Sequence, residues 1–503
     1  MLFNAAPNAP LTSSDVTRAA MHWPHKAQRR VRRWQLVAGF LAVPIACAIV
    51  LYFAAPSFSE HILPVAEHEG LAAIGDTLKT ARPRPRPTQE RESGVWQARV
   101  PPVTQDDLRN TYNAWYEVTE RLPESSTAHT DEEREAESRV RAAALASWRW
   151  IPELNATLAH DWDWRTWAIR ALRSTGGIIV VGDSINLQLF HHLRSLLPPT
   201  FEFKEDHARV YGFNDPDSVQ PAYLGVYMLE DDPAASELLK EARASASRLS
   251  RPILSYVRDD LLTSIAEVAR FRNDAVRKMN DDGDRLLTEQ DVESAWTEFT
   301  GRFGGHFDSS KEGQDGITNV VVGNWRPRVD GLLEPIGDWK GTQRTILVIN
   351  TGAHWSGPCL PEIGEARLKQ VYRSMVDDIA PQLVALSAKA AVIFRPTIPG
   401  HPECDAVTEP FKTEAEAREI INRMDFFQDM AWGTFPSYNV MWRDAFRSLR
   451  ADIGWLPVYT RSIMRPDAHR LGGDCLHLEG PSLLDEWAAE IWRVLYDMEG
   501  TIA

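Results

Sequence analysis

Apolar residues recur along this chain in two rhythms. Short, mainly apolar runs at Ile178–Val181, Ile253–Val257, Asn319–Val322, Thr345–Asn350 and Ala391–Phe394 read as buried strands. Longer stretches mix apolar and charged positions at helical spacing. They are Asp131–Ser147, Glu365–Ala388, Phe426–Ala451 and Leu483–Met498. Strands separated by helical stretches predict an α/β fold, with a parallel sheet covered on both faces. Sites in such sheets lie at the carboxyl ends of strands. Gly182-Asp183-Ser184, Asn350-Thr351-Gly352 and Arg395-Pro396 each directly follow an apolar run, so they are expected to gather on one edge.

The stretch Gly177–Leu197 shows the pattern most clearly. Ile178–Val181 runs into Gly182-Asp183-Ser184, and Leu187, Phe190, Leu193 and Leu197 then fall on one helical face. A serine at such a strand-turn-helix junction has its hydroxyl exposed, with backbone N–H groups nearby to receive a developing oxyanion. The alternative is a plain Gly-Asp-Ser turn that caps a helix. Near the other end, Gly472-Gly473-Asp474-Cys475-Leu476-His477 precedes the last helical run. A transferring serine needs a base, and the base needs a carboxylate to orient it. Ser184, His477 and Asp474 supply these three in turn, and the spacing of three can put Asp474 and His477 on the same side of one turn.

GDS followed much later by DCLH resembles the PC-esterase group of the GDSL/SGNH superfamily. This group includes the plant trichome-birefringence-like polysaccharide O-acetyltransferases and related fungal and animal proteins, and the likeness points to a fungal member. Four more segments carry the resemblance. Trp148-Arg149-Trp150-Ile151-Pro152 is similar to the family's aromatic-Arg-Trp-x-Pro motif, and Leu347–Trp355 to its FNTGHW strand end, with Ala353 as an extra residue. Val392–Arg395 is similar to its VFFR strand, and Cys404 with Thr408-Glu409-Pro410 to its C-x-x-x-TEP stretch. The likeness is scattered over roughly residues 148–500. It implies an SGNH-hydrolase-like three-layer sandwich with a central parallel sheet. It also implies O-acetylation of a polysaccharide or glycan acceptor through an acetyl-serine intermediate. No cofactor is expected to be bound. The acetyl donor, acetyl-CoA or an acetylated carrier, is a co-substrate, and a transporter of that donor is an expected partner. A carbohydrate acetylesterase with the same triad is the first alternative. A non-catalytic glycan-binding or wall-organising protein is the second, and the intact Ser184, Asp474 and His477 argue against it.

For the oxyanion hole, the Ser184 N–H and groups from Gly352 or Asn350 are the candidates. Asn186 is a further donor, matching an Asn of the plant pattern. Gly182, Asp183, His354 and Arg395 complete the candidate oxyanion and substrate residues. Arg395 either binds substrate or pairs with a buried carboxylate. His354 and His401 lack an Asp three residues earlier and are read as structural or substrate contacts. The resemblance also implies a disulfide between Cys404 and Cys475, leaving Cys359 free or paired between chains. The alternative is that all three remain buried thiols.

The remaining features concern placement and appendages. The net charge of −15 argues against a nucleic-acid partner. Trp34–Ala55 is nearly uncharged and long enough to cross a bilayer, and a basic cluster from Lys26 to Arg33 precedes it. The positive-inside rule then predicts a cytosolic tail at 1–33, a retained signal-anchor at 34–55 and a lumenal remainder. The alternative, a cleaved signal peptide, would have an unusually long basic region and too long an apolar core. The sequence alone says secretory pathway, and the resemblance implies the Golgi. Residues 56–100 read as a stem, with Arg82–Pro87 as a polyproline II spacer. The catalytic domain is expected over 101–503, with a helical insertion at about 264–315. Asn155-Ala156-Thr157 is a glycosylation sequon. Trp162, Trp164 and Trp167 suit either a sugar site or core packing. The loop 280–291 resembles a calcium-binding EF-hand loop, but Arg285 stands where Gly belongs and Asp291 where Glu is usual. It is read as an acidic helix connection capped by Thr288, and no metal is expected.

Overall fold

The structure of the chain is a computed structural model. The structure describes residues 93–112, 130–153, 163–198, 201–209, 219–230, 232–279, 285–292, 294, 325–337, 339–356, 364–426, 430–470 and 474–500. All of them belong to the unit Pro85–Ala503. Within it, β1 (Gly94–Ala98) pairs antiparallel with β2 (Trp148–Pro152) as a separate two-stranded sheet. The main sheet holds β3 (Ile178–Gly182), β4 (Phe201–Arg209), β5 (Val219–Met228), β6 (Leu254–Arg258), β7 (Thr345–Ile349), β8 (Ala390–Phe394) and β9 (Gly454–Trp455). Their spatial order is β4-β5-β6-β3-β7-β8-β9.

The strands' alternation builds two cores. Ile178 and Val180 point to one face and Ile179 and Val181 to the other, and all four are buried. The first face is covered by α1 (Trp164–Leu172), α2 (Ser184–Ser195), α3 (Pro233–Ala242) and, from the far end of the chain, Leu483–Glu499. The second face is covered by α4 (Ile265–Lys278), α5 (Trp325–Leu333), α6 (Glu365–Leu386) and α7 (Phe435–Ser448). Leu483–Glu499 is α8. The result is three layers, helices on a sheet on helices.

Two expectations are corrected here. The sheet is mixed rather than parallel. β6, β3, β7, β8 and β9 run parallel, but β5 is antiparallel to both β6 and β4. Residues 210–218 join β4 to β5, too few for the crossover of a dozen or more residues that a parallel neighbour needs. The second correction concerns the membrane. Among the described residues no helix is long and apolar enough to cross a bilayer. The physical reason shows in α6, the longest helix described. It buries Leu368, Val371, Met375 and Leu383 on the sheet and carries Glu365, Lys369, Arg373 and Asp377 elsewhere around its circumference. The signal-anchor at Trp34–Ala55 lies outside the described residues. The single-pass topology, the membrane partner and the Golgi lumenal placement drawn from it are not carried by the structure and are withdrawn.

Several other expectations also fall outside the described residues: the strand at 319–322, the stem up to residue 92, Asn155, Trp162 and Cys359. Trp167 is buried against Trp492 with ring centroids 4.7 Å apart, which assigns it to the core. In the described part of the EF-hand-like loop, Asp291 accepts from the Thr288 N–H and hydroxyl, both at 2.7 Å, and pairs with Arg285. Those bonds belong to a helix cap.

Candidate active site

The strand order reverses at β3. The chain leaves β3 toward β6 on one side and returns to β7 on the other, which opens a crevice at the carboxyl end of β3. Ser184 stands there as the first residue of α2. The turn that delivers it needs glycine at 182. Its φ is +142°, and a Cβ would lie 2.5 Å from the Asn350 carbonyl oxygen on the neighbouring strand end. Asp183 caps the helix, accepting from the N–H groups of Ile185 (3.1 Å) and Asn186 (3.3 Å).

The C-terminal loop reaches this crevice from 293 residues away in sequence. The Ser184 hydroxyl lies 2.7 Å from His477 Nε2, and His477 Nδ1 lies 2.9 Å from both Asp474 carboxylate oxygens. Asp474 and His477 are buried, whereas Ser184 is partly open. Burial works against charge on Asp474, but the His477 ring, its hydrogen bonds and nearby Arg470 outweigh it and hold the carboxyl well below the usual range. Asp474 is therefore a carboxylate at neutral pH. With Nδ1–H directed at it, His477 presents an unprotonated Nε2 to the serine, the tautomer a general base needs.

The other candidate residues divide into those facing the serine and those behind it. Arg395 is fully buried beneath the turn. Its guanidinium donates to Asn186 Oδ1 (2.6 Å), Asn350 Oδ1 (2.5 Å), Asp183 Oδ1 (3.2 Å) and the Pro396 carbonyl (3.0 Å). Burial lowers its pKa to about 10 against the pull of Asp183, so it stays a cation. Of the two roles open to Arg395, the structure shows the buried ion pair. The Asn186 amide donates to the Val181 carbonyl at 2.6 Å, and that of Asn350 to the Arg395 carbonyl at 2.8 Å. The Asn350 main-chain N–H donates to Val181 at 3.1 Å. Both amide donors of Asn350 are thus engaged, the second by the Thr397 hydroxyl at 3.4 Å, whereas Asn186 commits one of its two amide N–H groups to Val181. The Ser184 and Gly352 N–H groups take no part in these bonds. Gly352 has φ +156°, and a Cβ there would fall inside the Thr397 side chain.

His354 stands 3.6 Å from Asp260, which also pairs with Arg258 at 3.3 Å. His401 is buried against His469, with its Nδ1 2.5 Å from His469 Nε2 and its Nε2 2.7 Å from the Ile463 carbonyl. Burial pushes His401 down to about 4. It supports the loop and is not a base for Ser184. Cys404 and Cys475 form a disulfide, as the resemblance implied. The His401 N–H also donates to the Cys475 carbonyl at 2.9 Å.

Three contributors were missed in the sequence. Tyr256, inside an expected strand, places its hydroxyl 2.8 Å from the Gly182 carbonyl and 3.1 Å from that of Asp183. His469 lies 3.1 Å from the His477 carbonyl. Gln188, one turn beyond Ser184, bonds to the main chain of Leu478. A polar residue on a buried helical face was the available signal for Gln188. Nothing in the local pattern marked the other two. Among the described residues no group of His, Cys, Asp and Glu could hold a metal ion. No protein-family model and no curated protein matches the chain.

Proposed function

We propose that this chain is a serine-dependent O-acetyltransferase of the SGNH type, acting on a polysaccharide or glycan. The observation that carries the reading is the continuous Ser184–His477–Asp474 hydrogen-bonded line at the sheet's switch point. Ser184 Oγ attacks the acetyl carbonyl of the donor while His477 Nε2 takes its proton, and the Oγ–C bond forms. The carbonyl oxygen becomes an oxyanion, and the N–H groups of Ser184 and Gly352 are its donors in this scheme. Collapse breaks the bond to the donor, which leaves with the proton from His477. His477 then deprotonates a sugar hydroxyl, which attacks acetyl-Ser184 and releases the serine. Asp474 stays ionised and holds the imidazole in place throughout. The donor, acetyl-CoA or an acetylated carrier, is a co-substrate in this scheme.

The test is to incubate the purified chain with an acetyl donor and a panel of glycans, following transfer and acetate release by mass spectrometry. Acetylated glycan is expected, together with an acetyl group on the Ser184 peptide in trapped samples. Ser184→Ala and His477→Ala should each lower turnover by about three or more orders of magnitude in a folded protein. Near-normal activity in folded Ser184→Ala would overturn the assignment. Acetate release with no acetylated glycan would mark an esterase with the same triad. Glycan binding with neither product would mark a binding protein.

A further inference from the structure

Gln188 lies four residues after Ser184, so the two side chains share one face of α2, a helical turn apart. Its side chain is buried, at 5% exposure. A buried primary amide in a helix is costly unless its donors and acceptor are matched. Here one donor and the acceptor meet the main chain of one residue. Gln188 Nε2–H donates to the Leu478 carbonyl at 2.8 Å, and the Leu478 N–H donates to Gln188 Oε1 at 2.9 Å. The amide imitates one rung of a β-ladder, and Leu478 immediately follows His477.

We propose that Gln188 is a positioning residue that sets the distance between nucleophile and base. Resting on the reading above, this deepens it by naming what holds Ser184 and His477 in register. The helix that carries Ser184 grips the backbone that carries His477, closing a ring through the 2.7 Å Oγ–Nε2 contact. The other ties on this loop run elsewhere. The disulfide and the His401 N–H hold Cys475 to the loop after β8, and the Arg470 N–H holds the His477 carbonyl. Because an amide does not titrate, the Gln188 grip is the same whether His477 is neutral or carries the proton from Ser184. A shift of about an ångström at such a contact costs on the order of a hundredfold in rate.

Gln188→Met keeps the length of the side chain and removes both bonds. Gln188→Glu keeps the acceptor but, when ionised, turns a carboxylate oxygen toward the Leu478 carbonyl. Once protonated, the acid regains a donor and reproduces the amide. Its burial raises its pKa, so recovery should begin well above the ordinary Glu range. The assay is labelling of Ser184 by a p-nitrophenyl phosphonate. The Oγ–P bond forms, p-nitrophenolate leaves, and His477 accepts the serine proton. In Gln188→Met, labelling should slow at least tenfold with a shift of only a few degrees in melting temperature. For Gln188→Glu, the labelling rate relative to wild type should climb as pH falls from 8 to 5, a recovery that Gln188→Met lacks. Labelling at the wild-type rate in folded Gln188→Met, or a Glu ratio that stays flat with pH, overturns the proposal. The second readout is the imidazole signals of His477 in ¹⁵N-histidine-labelled protein, expected to move in Gln188→Met. If wild type itself fails to label at Ser184, the proposed function falls. In that case unchanged His477 signals in Gln188→Met overturn the brace, and shifted ones uphold it.

Discussion

Glu479 follows His477 by two residues, and its side chain is buried with Oε1 lacking a hydrogen-bond partner. Burial pushes its carboxyl up to about 8, with Arg470 and Arg141 pulling the other way and Asp474 adding to the rise. The folded protein thus holds a proton on Glu479 that the unfolded chain releases near 4.5. Between those values the native state binds more protons than the unfolded state, so stability falls as pH rises. Glu479→Gln keeps the shape and stays neutral. It should match wild type near pH 4.5 and exceed it above pH 8 by on the order of 2–4 kcal/mol. Denaturant unfolding across pH 4.5–8.5 checks this, and parallel curves for the two proteins would contradict it. Arg395 shows the opposite arrangement, a buried charge with its partners in place. Its fork joins Asp183, Asn186 and Asn350, which makes the underside of the Gly182-Asp183-Ser184 turn a fully buried polar network. Replacing it by Met would strand Asp183 and should cost about 3–5 kcal/mol by chemical denaturation. Arg395→Lys should recover only part of this, because an ammonium cannot reach both asparagines in one plane.

At the level of elements, β3 and α2 were legible because an apolar run, a turn and an amphipathic run follow one another with no gap. Asp474 and His477 were legible as a pair for a similar reason, since both lie within one short loop. The β4–β5 hairpin was not. Lys204, Glu205 and Asp206 break the apolar alternation, as an edge strand that must avoid further pairing often requires. The β1–β2 pair was hidden too, because its strands are separated by the whole of residues 99–147 and local pattern carries no pairing information. This small sheet explains the Trp-Arg-Trp segment. Trp150 is 4% exposed, packs at 5.6 Å against Trp96, and its main-chain N–H donates to the Glu486 carboxylate on α8 at 3.2 Å. Trp96 Nε1–H donates to the Arg461 carbonyl at 2.9 Å. The segment therefore clamps the two-stranded sheet onto the C-terminal part of the fold. Trp150→Ala should cost about 3–5 kcal/mol, read from the denaturation midpoint, through the cavity it leaves between the two-stranded sheet and α8. A midpoint within experimental error of wild type would show that the clamp is dispensable.

The assembly of the site is a property of the whole molecule. Ser184 is fixed by the centre of the sheet, while His477 arrives on a loop whose neighbours 471–473 lie outside the described residues. Two covalently distant regions must therefore be held together, and the Cys404–Cys475 disulfide does this at the point of need. Cys404 follows β8, a parallel strand of the sheet that contains β3, and Cys475 sits between Asp474 and His477. The bond spans 71 residues of sequence. In the chain-entropy account, a loop of that length restricts the unfolded state by about 4 kcal/mol. Replacing both cysteines by serine should lower the denaturation midpoint by a corresponding amount. The unfolded chain, no longer looped, should expose more surface, so the denaturant slope should rise. Reduction of the wild-type protein with a membrane-independent chemical reductant such as dithiothreitol should give the same two changes. On the proposed function, the consequence for Ser184 reactivity is separable from the stability loss. Under conditions where the doubly substituted protein is fully folded, Ser184 should still be labelled by the phosphonate, but more slowly, because Cys475 no longer limits where His477 can sit. Equal midpoints with and without the disulfide would show that the sheet and the loop are held by their non-covalent contacts alone. Equal labelling rates would show that the loop's non-covalent ties, those of Gln188, Arg470, His469 and the His401 N–H, suffice to place His477.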